Sequence, residues 1–313
     1  MVSELVLQAA RPSPALLPEE MLLSFHFHCW ILKQFKGSLF VQPAPQWQRD
    51  SMTDWDPRPA VLSWLQYSSA RQLFLDPSLP QQDINLWADL AAQTGRPAAM
   101  QLSTPSLFWL PEHRHPLPWQ VKRWSDRLAA AFGLLCLIPV FLGVMALMLI
   151  SSPGPFFFKQ WRVGHGGRLF RIIKFRTMVP NADKFHHQVM GNQNGLHKRQ
   201  DDPRITPIGR WMRKYSIDEL PQLFNVVLGQ MSLVGPRPWA IYDAIRIPAS
   251  CRHRMLALPG ITGAWQVSAR STQLDLEVVN RMDLQYLGHW SLLKDLSILL
   301  QTLPKVATGF GAF

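Results

Sequence analysis

Between Leu128 and Ile150 the chain runs for 23 residues without a charge. As an α-helix this stretch would extend roughly 34 Å, against about 30 Å for the hydrocarbon core of a bilayer. Pro139 lies near its middle, where it removes a helix hydrogen bond and kinks the backbone. Both flanks are basic: Lys122, Arg123 and Arg127 precede the run, and Lys159, Arg162, Arg168, Arg171 and Lys174 follow it. The positive-inside rule therefore assigns both ends to the cytoplasmic side. A re-entrant helical hairpin broken at Pro139 satisfies length, proline and charge together; a spanning helix with a proline kink satisfies length alone, and both readings stay open. Ser151-Ser152-Pro153-Gly154-Pro155 is a strong stop, and Phe156-Phe157-Phe158 beside Lys159 and Trp161 predicts an interfacial belt.

The 313 residues, 47% of them hydrophobic, suffice for one large or two modest domains. A formal charge of +11 with a pI near 10.0 implies an anionic partner: nucleic acid, an anionic membrane surface or a phosphorylated substrate. Nucleic acid fits poorly, because the cations interleave with carboxylates, turns and the apolar run instead of forming a helical stripe. Cys29, Cys136 and Cys251 are far apart and odd in number, so they suggest neither a disulfide framework nor a zinc site. Met1 to Ala10 contains Glu4 and no basic n-region, so no secretory signal is expected.

Residues 1 to 120 are expected to form a separate extension, rich in Trp, Pro and Gln. Within it Gln72-Leu73-Phe74-Leu75 reads as a strand, Asp83 as a cap for a helix carrying Ile84, Leu86, Trp87, Leu90 and Ala91, and Gly95 as its stop. Pro97 to Leu102 would return as a second strand, giving a small βαβ-like unit before a Pro-rich linker, Thr104 to Pro118. The unit holds no catalytic motif and reads as a docking, regulatory or structural module. The second domain is expected over 121 to 313. In it, alternation from Leu169 to Arg176 predicts a strand carrying basic side chains outward, and Asn181 to Arg199 reads as a loop. His186, His187 and His197 on that loop are weak metal candidates.

The chemistry concentrates downstream, in Asp202-Pro203-Arg204-Ile205-Thr206, Ser216-Ile217-Asp218-Glu219-Leu220-Pro221-Gln222-Leu223 and Ser232 to Pro238. Ser216 and Glu219 have capping-box spacing, so one reading is that Glu219 merely starts a helix. The other is that Asp218 and Glu219, at the positive end of a helix, hold a divalent cation and face a phosphate held by arginines. Carboxylates are poor nucleophiles toward an anionic phosphate, and a metal with nearby guanidinium groups removes that repulsion. Magnesium is the expected ion for hard oxygen ligands and a phosphorylated substrate. Gly235-Pro236-Arg237-Pro238 reads either as a simple turn or as a rigid loop that presents one guanidinium to a diphosphate. Pro259 to Gly263 followed by Ala264-Trp265-Gln266-Val267-Ser268-Ala269-Arg270 offers an aromatic face and a cation for a nucleotide.

These segments, with Lys174-Phe175-Arg176-Thr177-Met178 and Trp290-Ser291, make residues from Leu128 to the C-terminus resemble the bacterial sugar transferases, the monotopic phosphoglycosyl transferases. The resemblance covers about 60% of the chain. It implies an α/β (α+β), mostly helical, membrane-associated catalytic domain with a re-entrant hydrophobic hairpin at 128 to 150, here preceded by a small α/β extension. It implies a phosphotransferase on the cytoplasmic face of the bacterial plasma membrane that moves a sugar-1-phosphate from a UDP-sugar to polyprenyl (undecaprenyl) phosphate and releases UMP, a first membrane step of exopolysaccharide or glycoconjugate synthesis. Asp218 falls on the nucleophile that forms an aspartyl-phosphosugar, and Glu219 on its partner; both would hold Mg2+. Lys174, Arg176, Arg213, Arg237 and Arg270 fall on phosphate or substrate contacts. The order Ala264-Trp265-Gln266-Val267 resembles the hexose-1-phosphate branch. An inactive membrane scaffold is the alternative, and a homodimer stays open. The chain departs from the family pattern at Ile138-Pro139, where a Ser-Pro pair is usual, and at Gln230, where Gly-Asp-Met-Ser is common.

Overall fold

The computed structural model describes residues 23–27, 29–45, 56–102, 110–182, 202–269 and 275–309. They fall into two compact units, one reaching Gln101 and including Gly167–Leu169, the other comprising Leu102–Gly166 and the chain from Phe170 onward.

The first unit is a five-stranded sheet with strands in sequence order: β1 (Leu23–Phe27), β2 (Trp30–Phe35), β3 (Ser38–Pro43), β4 (Gln72–Leu75) and β5 (Ala98–Met100). Lys36 and Gly37 both take positive φ, 47° and 70°, which makes a tight turn matched to strand twist and fixes Phe35 opposite Ser38. β1 to β3 are therefore antiparallel, whereas α1 (Arg58–Tyr67) and α2 (Gln81–Gln93) return the chain so that β3, β4 and β5 run parallel. The expected βαβ unit is present, with Leu73 opposite Ala98. Asp83 does not cap its helix; Pro80 precedes it, and the carboxylate accepts from Trp30 Nε1 at 2.9 Å. Trp30, Leu32, Leu39, Val41, Leu73, Leu75 and Trp87 form the buried layer.

In the second unit the expected Pro-rich linker is partly helical. Pro111–Arg114 forms α3, and Pro116, in a first turn that needs no proline N–H, opens α4 (Pro116–Cys136). α5 (Ile138–Ser151) follows after Leu137, and the two helices meet at a bend of 57°. The break lies at Leu137, in the bridge region at φ −90°, ψ 0°, so Pro139 occupies the first turn of α5 and costs no helix hydrogen bond. Among the described residues no single helix is long and apolar enough to cross a membrane, though this bent pair together is.

Two faces of α4 have opposite tasks. Leu117, Val121, Trp124, Leu128, Phe132 and Leu135 recur at helical spacing and are all more than half exposed. On the other face Trp119, Lys122, Asp126 and Ala130 are buried. Lys122, expected in a cytoplasmic basic flank, is 2% exposed and pairs with Asp295 at 2.6 Å and Asp126 at 3.1 Å. Tyr286 Oη and Trp290 Nε1 donate to Asp295, and Ser232 Oγ donates to Asp126. These partners lie on β8 (Ser232–Val234), α10 (Leu276–Gly288), α11 (Leu292–Thr308) and, for Trp290, the connection between the two helices, so one polar cluster joins α4 to the rest of the unit. Ser291 caps α11 through Lys294 N, which explains the Trp290-Ser291 pair. α11 itself leaves Leu292, Leu293, Leu296, Leu300 and Leu303 exposed in a second apolar stripe.

α5 buries Phe141, Val144 and Met148 against Phe175 and Met212. β6 (Phe157–Val163) and β7 (Leu169–Phe175) join β9 (Trp239–Ala240) in a sheet ordered β7-β6-β9, and α8 (Ile241–Ala244) follows β9. β8 pairs in parallel with β10 (Gly260–Thr262), and α9 (Ala264–Ala269) follows. The predicted strand at Leu169 to Arg176 is thus present, but its basic residues do not all face outward: Arg171 is exposed, whereas Arg176 is buried.

Candidate active site

The carboxylate pair is set between two helices of unequal length. Thr206 accepts from Gly209 N at 3.0 Å and starts α6 (Pro207–Lys214), which rests on the Thr177 backbone. A Cβ on Gly209 would lie 2.0 Å from the Thr177 oxygen, so only glycine permits the approach. Asp202 holds Arg204 through contacts of 2.9 and 2.6 Å, and Thr206 N donates to Thr177 O at 3.0 Å. The Asp-Pro-Arg-Ile-Thr segment is therefore a brace for α6.

Ser216 then turns the chain at φ 54° into a 3-10 turn, Ile217–Glu219, that leads into α7 (Gln222–Val227). Its side chain makes no cap hydrogen bond, so the capping-box reading of Ser216 and Glu219 fails. Positive φ at a non-glycine residue is a costly conformation of the kind found at functional sites. Glu219 turns instead to cations: Lys174 Nζ lies 2.7 Å from its Oε1, and Arg237 Nη2 lies 2.9 Å from the same oxygen.

Asp218 is 8% exposed. Among the described residues no side chain donates a hydrogen bond to it, but Lys174, Arg213 and Arg237 bear on it electrostatically. Burial pushes its pKa up, Lys174 opposes this, Glu219 adds to the rise, and Arg213 and Arg237 oppose it further. The carboxyl stays above the ordinary aspartate value. Burial likewise lowers Lys174 to about 8, against the support of Glu219. Arg237 moves the other way, raised chiefly by Glu219. Arg213 Nε donates to Thr177 Oγ1 at 2.9 Å, which aims the last turn of α6 at the pair.

Four of the expected residues besides Asp218 thus converge: Glu219, Lys174, Arg213 and Arg237. Arg176 has a different task. Its guanidinium donates to Pro155 O at 2.7 Å, Ser152 Oγ at 2.9 Å, Met178 O at 3.0 Å and Ser152 O, which ties the exit from α5 to the end of β7. Arg270 and the three loop histidines lie outside the described residues. Trp265 is 7% exposed and packs inward, so it does not offer the expected aromatic face for a nucleotide.

Several contributors were not expected. Asn225 accepts from Ile173 N at 3.0 Å and donates to Arg171 O at 2.9 Å, which sets β7, and with it Lys174, opposite the carboxylates. Gln230 accepts from Asn225 Nδ2 at 2.8 Å, so a neutral acceptor suffices where aspartate is common. Arg162, expected in the basic flank, donates to Pro238 O at 3.2 Å beneath the Arg237 loop. That loop and the Pro259 to Gly263 segment form one structure: Gly235 N donates to Thr262 O and Gly260 N to Pro236 O, each at 2.9 Å.

The sequence that carries this paired carboxylate and its three converging cations is similar to that of a known family. The family model described as bacterial sugar transferase covers residues 117–309. The chain belongs to the bacterial sugar transferase family. It is 41% identical over 201 residues to the galactosyl transferase CpsE of Streptococcus agalactiae serotype III, covering 61% of this chain and 43% of that protein. It is 38% identical over 224 residues to the exopolysaccharide production protein ExoY of Sinorhizobium fredii, covering 67% and 97%. The UDP-glucose:undecaprenyl-phosphate glucose-1-phosphate transferase of Caulobacter vibrioides is 41% identical over 202 residues, covering 61% and 72%. This chain thus spans less than half of CpsE and nearly all of ExoY. The sugar transferase model begins within α4 and ends at the close of α11, so all of the converging residues lie inside it.

Proposed function

We propose that this sugar transferase moves a hexose-1-phosphate from a UDP-sugar to undecaprenyl phosphate through an aspartyl-phosphosugar, releasing UMP. The observation that carries the reading is Asp218: a buried carboxylate with no side-chain hydrogen-bond donor among the described residues, beside a glutamate already held by Lys174 and Arg237. A carboxylate stripped of water and donors keeps its lone pairs for an incoming phosphorus. Arg213 and Arg237 would take the charge of the diphosphate, and Glu219 would hold Lys174 and Arg237 in place. A donor and then a lipid acceptor would use one site in turn, so ping-pong kinetics are expected.

Two adjacent buried carboxylates fit a magnesium ion that draws its other ligands from water and substrate phosphates. Asp218 and Glu219 would hold it, and the ion would supply charge neutralisation at the diphosphate.

The reading places the protein at the cytoplasmic face of a bacterial plasma membrane. The stripes on α4 and α11 and the nearly all-round apolar surface of α5 support it, since apolar surface of this extent marks an interaction site. The α4–α5 bend supports a re-entrant hairpin with both ends on one side. The hexose is supported by relatives whose names carry galactosyl and glucose-1-phosphate transfer.

The test is UMP release from a panel of UDP-sugars when membranes containing the protein receive magnesium and undecaprenyl phosphate. Sugar-specific release is expected; release of UDP instead, or no release from any donor, would overturn the reading.

A further inference from the structure

We propose that Arg254, held by Asp283, is a positioning residue that sets the placement of Arg237; the proposal rests on the function given above. Arg254 lies 17 positions beyond Arg237 in sequence, yet its Nη2 donates to the Arg237 carbonyl oxygen at 3.1 Å. Arg254 also forms an ion pair with Asp283, and both side chains are 1% exposed. Its guanidinium carbon stands 4.3 Å from the centroid of the Trp239 ring. One planar group therefore grips the chain at Arg237 and again two residues later. Asp283 in turn accepts the backbone N–H of Trp265, which ties the grip to α9. From the other side Arg162 Nη1 holds the next carbonyl, that of Pro238.

Stability is a poor account of this arrangement. Nε and Nη1 of Arg254 are buried with no hydrogen-bond partner among the described residues. A buried ion pair with unpaired donors is often matched or bettered by apolar side chains of similar volume. What an apolar residue cannot do is hold a carbonyl and lie flat on an indole at once, and neither can lysine, whose ammonium is a point charge. The placement matters because the Arg237 guanidinium meets Glu219 at 2.9 Å at the end of a long side chain. A backbone shift of about 1 Å at such a site is enough to cost on the order of 100-fold in rate.

The test is a double-mutant cycle in the full chain, with Arg254→Lys and Asp283→Asn each combined with Arg237→Lys. kcat/KM for UMP release, the Kd for UDP-glucose and UDP-galactose with magnesium, and the melting temperature are read for every variant. Arg254→Lys, which keeps a cation beside Asp283, should lower kcat/KM about 10- to 100-fold with melting held close to wild type; Asp283→Asn should lower kcat/KM by a similar factor and also lower the melting temperature, because it leaves a buried guanidinium without its counter-charge. Each should lose less than about threefold further once Arg237 is already lysine, because residues that act through one group do not add. Losses that multiply in the double variants would overturn the positioning role, as would unchanged kinetics, or failure of both single variants to fold. Wild-type protein that binds a donor without turnover would defeat the proposed reaction alone, and the Kd cycle would still decide the role of Arg254. Wild-type protein that neither binds nor turns over any donor would overturn both.

Discussion

Raising the pH should switch the enzyme off through Lys174. The ammonium has little solvent around it and donates to Glu219 at 2.7 Å; burial brings its pKa down to about 8, with Glu219 opposing the fall. Above that value the group is neutral, Glu219 loses one of its two cations, and the charge field that restrains the raised pKa of Asp218 weakens. From the titration of a single group near 8, about nine-tenths of Lys174 is protonated at pH 7 and about one-tenth at pH 9. If the reaction needs the ammonium, kcat/KM should drop about tenfold over that interval, close to 1.4 kcal/mol of barrier. Asp218 must be ionised to attack, so its raised pKa sets an acid limb that falls as pH falls, and the full profile is bell-shaped. Arg at position 174 stays charged throughout, so Lys174→Arg should lose rate overall but also lose the alkaline limb. The assay is the initial rate of UMP release from pH 5 to 10 at saturating magnesium. A wild-type profile flat to pH 9.5, or an alkaline limb near pH 8 that survives in Lys174→Arg, would refute the assignment.

Asp218→Asn should abolish UMP release while the protein still sediments with membranes, and full turnover in that variant would exclude the covalent route. Chelation with EDTA should remove activity and added magnesium restore it, without change in melting temperature beyond a few degrees. Gly260→Ala places a Cβ 2.1 Å from Gly235 N; thermal unfolding should report a loss of about 3 kcal/mol. A cysteine placed at Leu128 or Ile150, with the native cysteines replaced, should resist a membrane-impermeant reagent added outside intact cells. Labelling at either position from outside would establish a span.

What could be read from the chain in one dimension was mostly what is local in it. The strand Gln72–Leu75 appears with the bounds that its composition suggests, and the carboxylate pair stands out because Asp218 and Glu219 are neighbours. Spacing misled where two physical rules share one pattern. Ser216 and Glu219 have the separation of a capping box, but positive φ at Ser216 turns the segment into a short 3-10 turn and hands Glu219 to Lys174 and Arg237. The antiparallel β2–β3 hairpin escaped notice because its turn is Lys36-Gly37, without the Asn or Asp that usually signals it. Arg254 and Asp283 stand 29 positions apart and meet only in the fold, so no window along the chain could pair them. Arg176 shows the converse: its place two residues beyond Lys174 in the family motif suggested phosphate, yet β7 ends at Phe175, and past that end the Arg176 side chain meets the carbonyls at the exit from α5.

Charge count along a segment is a weak guide to which cations meet an anionic surface, and α4 shows why. Lys122, Arg123 and Arg127 look equivalent as a basic flank, but a helix distributes them around its circumference. Lys122 is the one that falls on the buried face with Asp126, and there it meets Asp295 of α11. Arg123 reaches the Gly229 carbonyl at 3.3 Å, and Arg127 stacks on Trp124. The same geometry places Leu117, Val121, Trp124 and Leu128 together on the outer face. Two amphipathic helices, α4 and α11, are thus cross-linked on their inner sides by Lys122 and Asp295 while their outer sides stay apolar. The Ser232 hydroxyl, which donates to Asp126, lies at the start of the strand that leads into the Arg237 loop. Whatever seats the outer faces is therefore joined to that loop by one buried polar cluster, and the pairing of Lys122 with Asp295 fixes the register of the two helices more strictly than apolar contacts could, since a slip of one residue would strand a buried charge.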